Sequence, residues 1–169
     1  MKTPDIQTWS DWHRRAPRKS VAVGAVVQKA LSLLFVRHNY GLLRGQWSFP
    51  TGFAEPFESP DVTALREVKE EGGIIAAVDG PLALCTVDWE ADIQLYLVWL
   101  CQHLEGEPTR DGVEIDQAAY LSAADLEGFQ EAVIPFSRWL ANRVFQKQYQ
   151  VLRPAGMTSV APYLGTAFA

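Results

Sequence analysis

Gly52-Phe53-Ala54-Glu55-Pro56-Phe57-Glu58-Ser59-Pro60-Asp61-Val62-Thr63-Ala64-Leu65-Arg66-Glu67-Val68-Lys69-Glu70-Glu71-Gly72-Gly73-Ile74 is the stretch on which the rest of this chain depends. Ser59 followed by Pro60 reads as an N-cap with proline at the first helical position, where its missing N–H costs nothing. The Gly72-Gly73 pair supplies a left-handed stop, so a helix is predicted between these two signals. On that helix Val62, Leu65 and Val68 mark a face that packs on a core. Glu67, Glu70 and Glu71 stand at i, i+3 and i+4, which brings their side chains to one face within reach of a shared point.

Clustered carboxylates repel one another, so the arrangement weakens an isolated helix unless something offsets it. A hard divalent cation does so. Mg²⁺ or Mn²⁺ takes oxygen ligands in octahedral geometry, keeps several waters, and leaves positions for substrate phosphate oxygens. The competing reading is a solvated acidic face with ion pairs such as Arg66 to Glu70. The loop in front of the helix bears on the choice.

Gly52, Glu58, Arg66-Glu67, Val68, Glu70-Glu71, Gly73 and Ile74 together resemble the signature of the Nudix hydrolases at every defined position. Trp47-Ser48-Phe49-Pro50-Thr51 resembles that family's lead-in. This chain departs from the pattern at Thr51 and Phe57, where glycine is common; phenylalanine gives up glycine's access to positive φ. The resemblance runs from about Val21 to Phe145 and implies an α/β fold, an α/β/α sandwich with a mixed β-sheet between helices. It also implies an activity: hydrolysis of a phosphoanhydride bond in a nucleoside diphosphate linked to another moiety, with Mg²⁺ or Mn²⁺. The chemistry is coherent, because an acidic site holds a pyrophosphate only through bridging cations, which also stabilise charge on the leaving phosphate.

By the same resemblance, Glu67, Glu70 and Glu71 hold the metal, Thr51 or Gly52 adds a backbone carbonyl, and Arg66 orients a glutamate. Glu114, several residues ahead of Tyr120, resembles the family's additional acid and is a further metal ligand or a base, with Asp116 and Glu107 as alternatives. The general base stays open among Glu67, Glu70 and Glu114. Glu55 and Glu58 bind outer waters or orient the loop on the substrate side. Trp89 or Tyr96 stacks a base; alternatively Tyr96 merely sits on a strand face. Cys85-Thr86-Val87-Asp88-Trp89-Glu90-Ala91-Asp92 matches none of the family's substrate-associated segments, so the substrate is read only as a nucleoside diphosphate derivative. A rival of another class is a nucleotide-sensing module that binds such a compound without cleaving it.

Composition agrees with a globular chain. The 169 residues, 48% hydrophobic and 11% aromatic, suit a single domain with a substantial core, flanked by an arm over 1–19 and a tail over 152–169. A net charge of −5 argues against a general nucleic-acid binder. Cys85 and Cys101 stand far apart, which reads as two buried thiols rather than a zinc or disulfide framework. No apolar run approaches the roughly 20 residues that cross a bilayer, and Met1-Lys2-Thr3-Pro4-Asp5 lacks a signal-peptide core, so the cytoplasm is the default.

Along the chain, Trp9 and Trp12 in the arm pack on the domain or across a homodimer interface, or else stack on a base while Arg14, Arg15 and Arg18 approach phosphates. Val21 to Val27 and Leu31 to Arg37 predict a hairpin of strands buried on both faces. Ile75 to Val78, Leu82 to Val87, Ile93 to Leu104 and Val113 to Leu121 read as strands, and Ser122 to Leu126 as a capped turn. Phe136, Leu140 and Val144 recur at helical spacing and predict a helix covering the other sheet face. Pro154, Gly156, Pro162 and Gly165 give the tail an irregular look.

Overall fold

The computed structural model describes residues 21–89, 92–160 and 163–168, with backbone pairing alone for 87–89, 92–94 and everything beyond 153. The arm over 1–19 lies outside the described residues. Strands β1 (Val21–Lys29) and β2 (Ser32–His38) form the expected hairpin, closed by Ala30-Leu31 with Ala30 at φ 54°. Alternate residues of β1 enter different cores: Val23, Ala25 and Val27 on one face, Val26 on the other. That two-sided burial explains why these strands read as continuous apolar runs. A 3₁₀ turn (Gly41–Leu43), β3 (Trp47–Ser48) and β4 (Thr51–Phe53) then lead to α1 (Pro60–Gly72).

Beyond the helix come β5 (Ile75–Trp89), β6 (Asp92–Glu105), β7 (Ile115–Ser122), a short α2 (Ala123–Gly128) and α3 (Pro135–Phe145). The main sheet has seven strands in the order β3-β2-β1-β6-β5, with β4 added to β1 and β7 to β2. β1 and β6 run parallel while their other neighbours run antiparallel, so the sheet is mixed. Ala64 and Val68 of α1 pack on one face; Leu140, Ala141 and Val144 of α3 pack on the other. The result is the α/β/α sandwich.

Several expectations need correction. The two runs after Ile74 are one strand, β5, whose register shifts between Val78 and Gly80 and between Pro81 and Ala83 mark the irregularity that divided it in sequence. Cys101 is buried but Cys85 is only partly so, and both thiols are free. β7 begins at Ile115 rather than Val113 because the Asp111 carboxylate accepts the N–H groups of Val113 and Glu114, which keeps both out of the ladder. The turn after β7 is the helix α2, held by a capping box in which Ser122 and Asp125 exchange bonds. The tail is not irregular: β8 (Pro154–Val160) and β9 (Tyr163–Phe168) pair antiparallel in a separate sheet. Pro154 opens β8 and Gly156 sits at a register shift, positions where such residues are tolerated, while Pro162 lies outside the described residues.

Candidate active site

Helix α1 begins and ends where the sequence signals place it. Ser59 is the N-cap in extended conformation, although its side chain makes no capping bond, and Gly73 closes the helix at φ 68°. Of the expected core face, Val68 is buried and Leu65 packs against the core, while Val62 does not. Val62 is half exposed, and the buried stripe is Thr63, Ala64, Glu67, Val68, Glu71 and Gly72. The core face and the acidic face therefore overlap: Glu67 and Glu71, one turn apart, point into the protein at 7% and 4% exposure. Glu70 stays on the outer side, its side chain 57% exposed.

Arg66 is the centre of the arrangement. Its Nη1 donates to Glu67 Oε1 at 2.7 Å and to Glu70 Oε2 at 2.9 Å. Its Nε and Nη2 grip both oxygens of Glu58, at 3.0 and 3.1 Å, and Nη2 also donates to the Phe53 carbonyl. One planar guanidinium thus ties the loop to the helix, a task that its fixed fork of donors suits. Glu58 Oε2 further accepts the Thr63 hydroxyl at 2.8 Å and the Glu55 N–H at 3.1 Å. Arg66 and those donors hold the Glu58 carboxyl down at about 2. With both oxygens engaged in this way, Glu58 acts as the staple of the loop, so the expected role of meeting outer waters does not fit it. Glu55 itself is exposed.

Phe57 in that loop adopts φ 69°, the glycine-like conformation, and its ring is fully exposed. The loop geometry therefore survives the departure from glycine.

The buried pair is electrostatically uncomfortable. Burial pushes Glu71 up to about 8; the Thr51 N–H, donating to Oε2 at 2.8 Å, pulls the other way, while Glu67, Glu114 and Asp111 add to the rise. Burial likewise raises Glu67, against the pull of Arg66. Glu114 is exposed on the loop before β7, and its charge is felt by both inner glutamates. Among the described residues, no three acids, imidazoles or thiols converge as a ready-made metal cage. Glu70 is the outermost of the three acids, and Arg66 Nη1 joins its carboxylate to that of Glu67, which realises the Arg66–Glu70 ion pair expected from sequence.

The Glu67 carboxylate lies against the Cα of Gly52, where any Cβ would overlap it. Gly52 is needed there for close approach rather than for φ. Gly52→Ala is expected to displace the end of the Glu67 side chain and lower turnover by about tenfold or more, with a thermal midpoint nearly unchanged because a flexible side-chain end absorbs the clash. Steady-state rates and a thermal melt on the same preparation check this; a large fall in the midpoint would show that the glycine serves folding instead.

Tyr96 is not a platform for a base. Its ring packs edge-on to Phe136 at 5.6 Å beneath α3, its phenol is pushed up to about 12 by burial and hydrogen-bonds the Thr51 side chain. A Cβ at Gly24 would overlap its hydroxyl. Trp89 pairs with Asp92 at the end of the β5–β6 ribbon, and its side chain lies outside the described residues. Of the alternatives to Glu114, Asp116 is bound by Arg37 at 2.7 Å and Glu107 by Lys29 at 3.0 Å, so both are committed to ion pairs.

Sequence reading missed two residues beside the site. Asp111 organises the loop that presents Glu114, and Asp-Gly before a strand was the available signal. Tyr40 reaches Glu114 from the segment between β2 and β3, and nothing in its sequence context marks it.

A glutamate-bearing helix backed by a mixed sheet, with a second helical layer behind, is the sandwich shared by solved Nudix structures. The chain belongs to the Nudix family: the NUDIX domain model matches residues 18–140. It is 36% identical over 78 residues to nucleoside diphosphate-linked moiety X motif 6 of Homo sapiens, a match covering 41% of this chain and 25% of that protein. It is 31% identical over 65 residues to ADP-ribose pyrophosphatase of Methanocaldococcus jannaschii, covering 38% of each. The aligned parts thus span well under half the length of these relatives. A NUDIX hydrolase from Nitrosomonas europaea superposes with TM-score 0.68 at 18% identity, covering 79% of this chain and 74% of that one. The NUDIX domain of Shewanella oneidensis NrtR complexed with ADP ribose gives TM-score 0.66 at 14% identity, covering 82% and 97%. These two likenesses concern the fold. Among the described residues no helix is long and apolar enough to cross a membrane.

Proposed function

We propose that this chain hydrolyses a phosphoanhydride bond in a nucleoside diphosphate linked to another moiety, using Mg²⁺ or Mn²⁺. The observation that carries the reading is the buried pair Glu67 and Glu71 behind the Gly52 loop, two carboxylates held out of water at a cost typical of functional sites. Their donor set fits a hard divalent cation: oxygen ligands and like charges that a dication would relieve. Glu67 and Glu71 would hold it, with Glu70 and Glu114 at the margin of the site. When bound, such a cation neutralises pyrophosphate charge and lowers the pKa of a coordinated water.

The remaining work belongs to the chain. Thr51 N–H fixes the orientation of Glu71, Arg66 fixes Glu67 and Glu70, and Glu58 fixes Arg66. Glu114, exposed and felt electrostatically by the inner pair, would be the base that takes a proton from the attacking water, directly or through one intervening water. Glu67 and Glu70 are less suited to that step, since Arg66 holds an oxygen of each.

Incubation with Mg²⁺ and, separately, ADP-ribose, NADH, dinucleoside polyphosphates, nucleotide sugars and nucleoside triphosphates tests the reading. The expected result is two phosphate-bearing products from at least one compound, lost on chelation. Saturable binding of one of these compounds without any product would replace hydrolysis by metabolite sensing.

A further inference from the structure

The backbone of Glu114 is anchored on both sides. Its N–H donates to Asp111 Oδ1 at 3.0 Å and its carbonyl accepts the Asn39 N–H at 2.7 Å. Its carboxylate has a single side-chain partner among the described residues, the Tyr40 hydroxyl at 3.5 Å from Oε2. Tyr40 is 56% exposed, so burial in a core does not account for its ring. The Asn39–Glu114 backbone bond brings the two segments together one residue before Tyr40, which leaves the phenol beside the carboxylate by construction.

We propose that Tyr40 is a positioning residue whose hydroxyl holds the Glu114 carboxylate toward Glu67 and Glu71. The inference rests on the role given to Glu114 above. A phenol suits the task because it donates a hydrogen bond without cancelling charge, whereas an arginine or lysine there would neutralise the carboxylate as a base or a cation ligand. Without such a partner, an exposed glutamate samples several rotamers, and only a fraction of them face the acidic pair.

The contact and its consequence are tested separately. In metal-free protein carrying ¹³C-carboxyl glutamate, the Glu114 resonance, assigned by its loss in Glu114→Gln, is expected to move in Tyr40→Phe; an unmoved resonance overturns the contact. With Mg²⁺ and the compound cleaved fastest in the panel above, Tyr40→Phe is expected to lower kcat about tenfold with KM changed less than about twofold, as loss of a hydrogen bond to a charged group implies. In the Glu114→Gln background the same change is expected to do nothing further. If Tyr40→Phe matches wild type while Tyr40→Leu raises KM, the ring meets substrate and the positioning role is overturned. Full activity in Glu114→Gln would instead remove the function assigned to Glu114, an outcome distinguishable because it precedes any change at Tyr40.

Discussion

Glu71→Gln is expected to reduce kcat by about 10³-fold, in the range seen when a group that stabilises transition-state charge is removed, and at the same time to make the metal-free protein more stable. Both effects come from one circumstance. Glu71 is 4% exposed, and burial lifts its carboxyl from 4.5 to about 8, so ionising it in the fold is costly. Glutamine fills the same space and still offers an oxygen to the Thr51 N–H, but carries no charge to desolvate.

The sign of the pH dependence follows. Because the folded pKa lies above the unfolded one, the folded protein holds a proton that the unfolded chain has lost. The resulting stability is fully present below pH 4.5 and disappears as the pH rises to about 8. Metal-free wild type should therefore lose stability across that window by an amount that the variant does not. A cation competes with the same proton, so apparent metal affinity of the wild type should climb over the same range. Urea denaturation near both ends of the window, with and without metal, measures all three quantities. We expect the variant to gain about 1 kcal/mol at the upper end, a usual size for relieving functional strain; a less stable variant there would contradict the assignment.

The second large effect is expected at Arg66. Arg66→Ala removes five hydrogen bonds and leaves Glu58, Glu67 and Glu70 facing one another without a cation. Breaking a buried pair costs about 3–5 kcal/mol; with the arginine side chain 25% exposed, a loss of about 2–3 kcal/mol is expected, with kcat down by about 10²-fold or more. Arg66→Lys should recover less than half of either loss, since a single ammonium cannot face Glu58, Glu67, Glu70 and the Phe53 carbonyl at once. Adding Glu58→Gln to Arg66→Ala should restore part of the stability, because the two residues form one unit. Denaturant midpoints and rates on the four proteins decide the matter, and a lysine variant equal to wild type would reduce the hub to a surface charge.

How much of this was readable beforehand depended on whether the signal was local. The ends of α1 were legible because Ser59-Pro60 and Gly73 act within one turn of themselves. The β1–β2 hairpin was legible from apolar runs flanking a short polar break. The inward face of α1 was legible only in part, because the outward Val62 and the inward Glu67 and Glu71 invert the usual rule that apolar residues face the core. Only the loop behind Gly52 and the Thr51 N–H, brought in by β4, make room for a buried acid. The Arg66–Glu70 ion pair was legible from i, i+4 spacing, whereas the further bonds of Arg66 to Glu58 and the Phe53 carbonyl depend on how the loop folds back on the helix. Tyr40 was illegible because its meaning depends on a partner that lies 74 residues away.

The segment between β6 and β7 is built largely from its own bonds. Asp111 binds three successive N–H groups after it, the Thr109 N–H docks on the Gly72 carbonyl at the end of α1, and Asn39 takes the Glu114 carbonyl. Those anchors leave Glu107 and Arg110 exposed between fixed points. In engineering terms the segment is a cassette: the exposed Glu107 and Arg110 are the exchangeable positions while Asp111 still delivers Glu114 to the same place, whereas Gly106, at φ 94° with the Gly73 carbonyl in the way of any Cβ, has to stay. Side-chain chemistry on the surface of this segment and the placement of Glu114 are thereby separable traits in this chain.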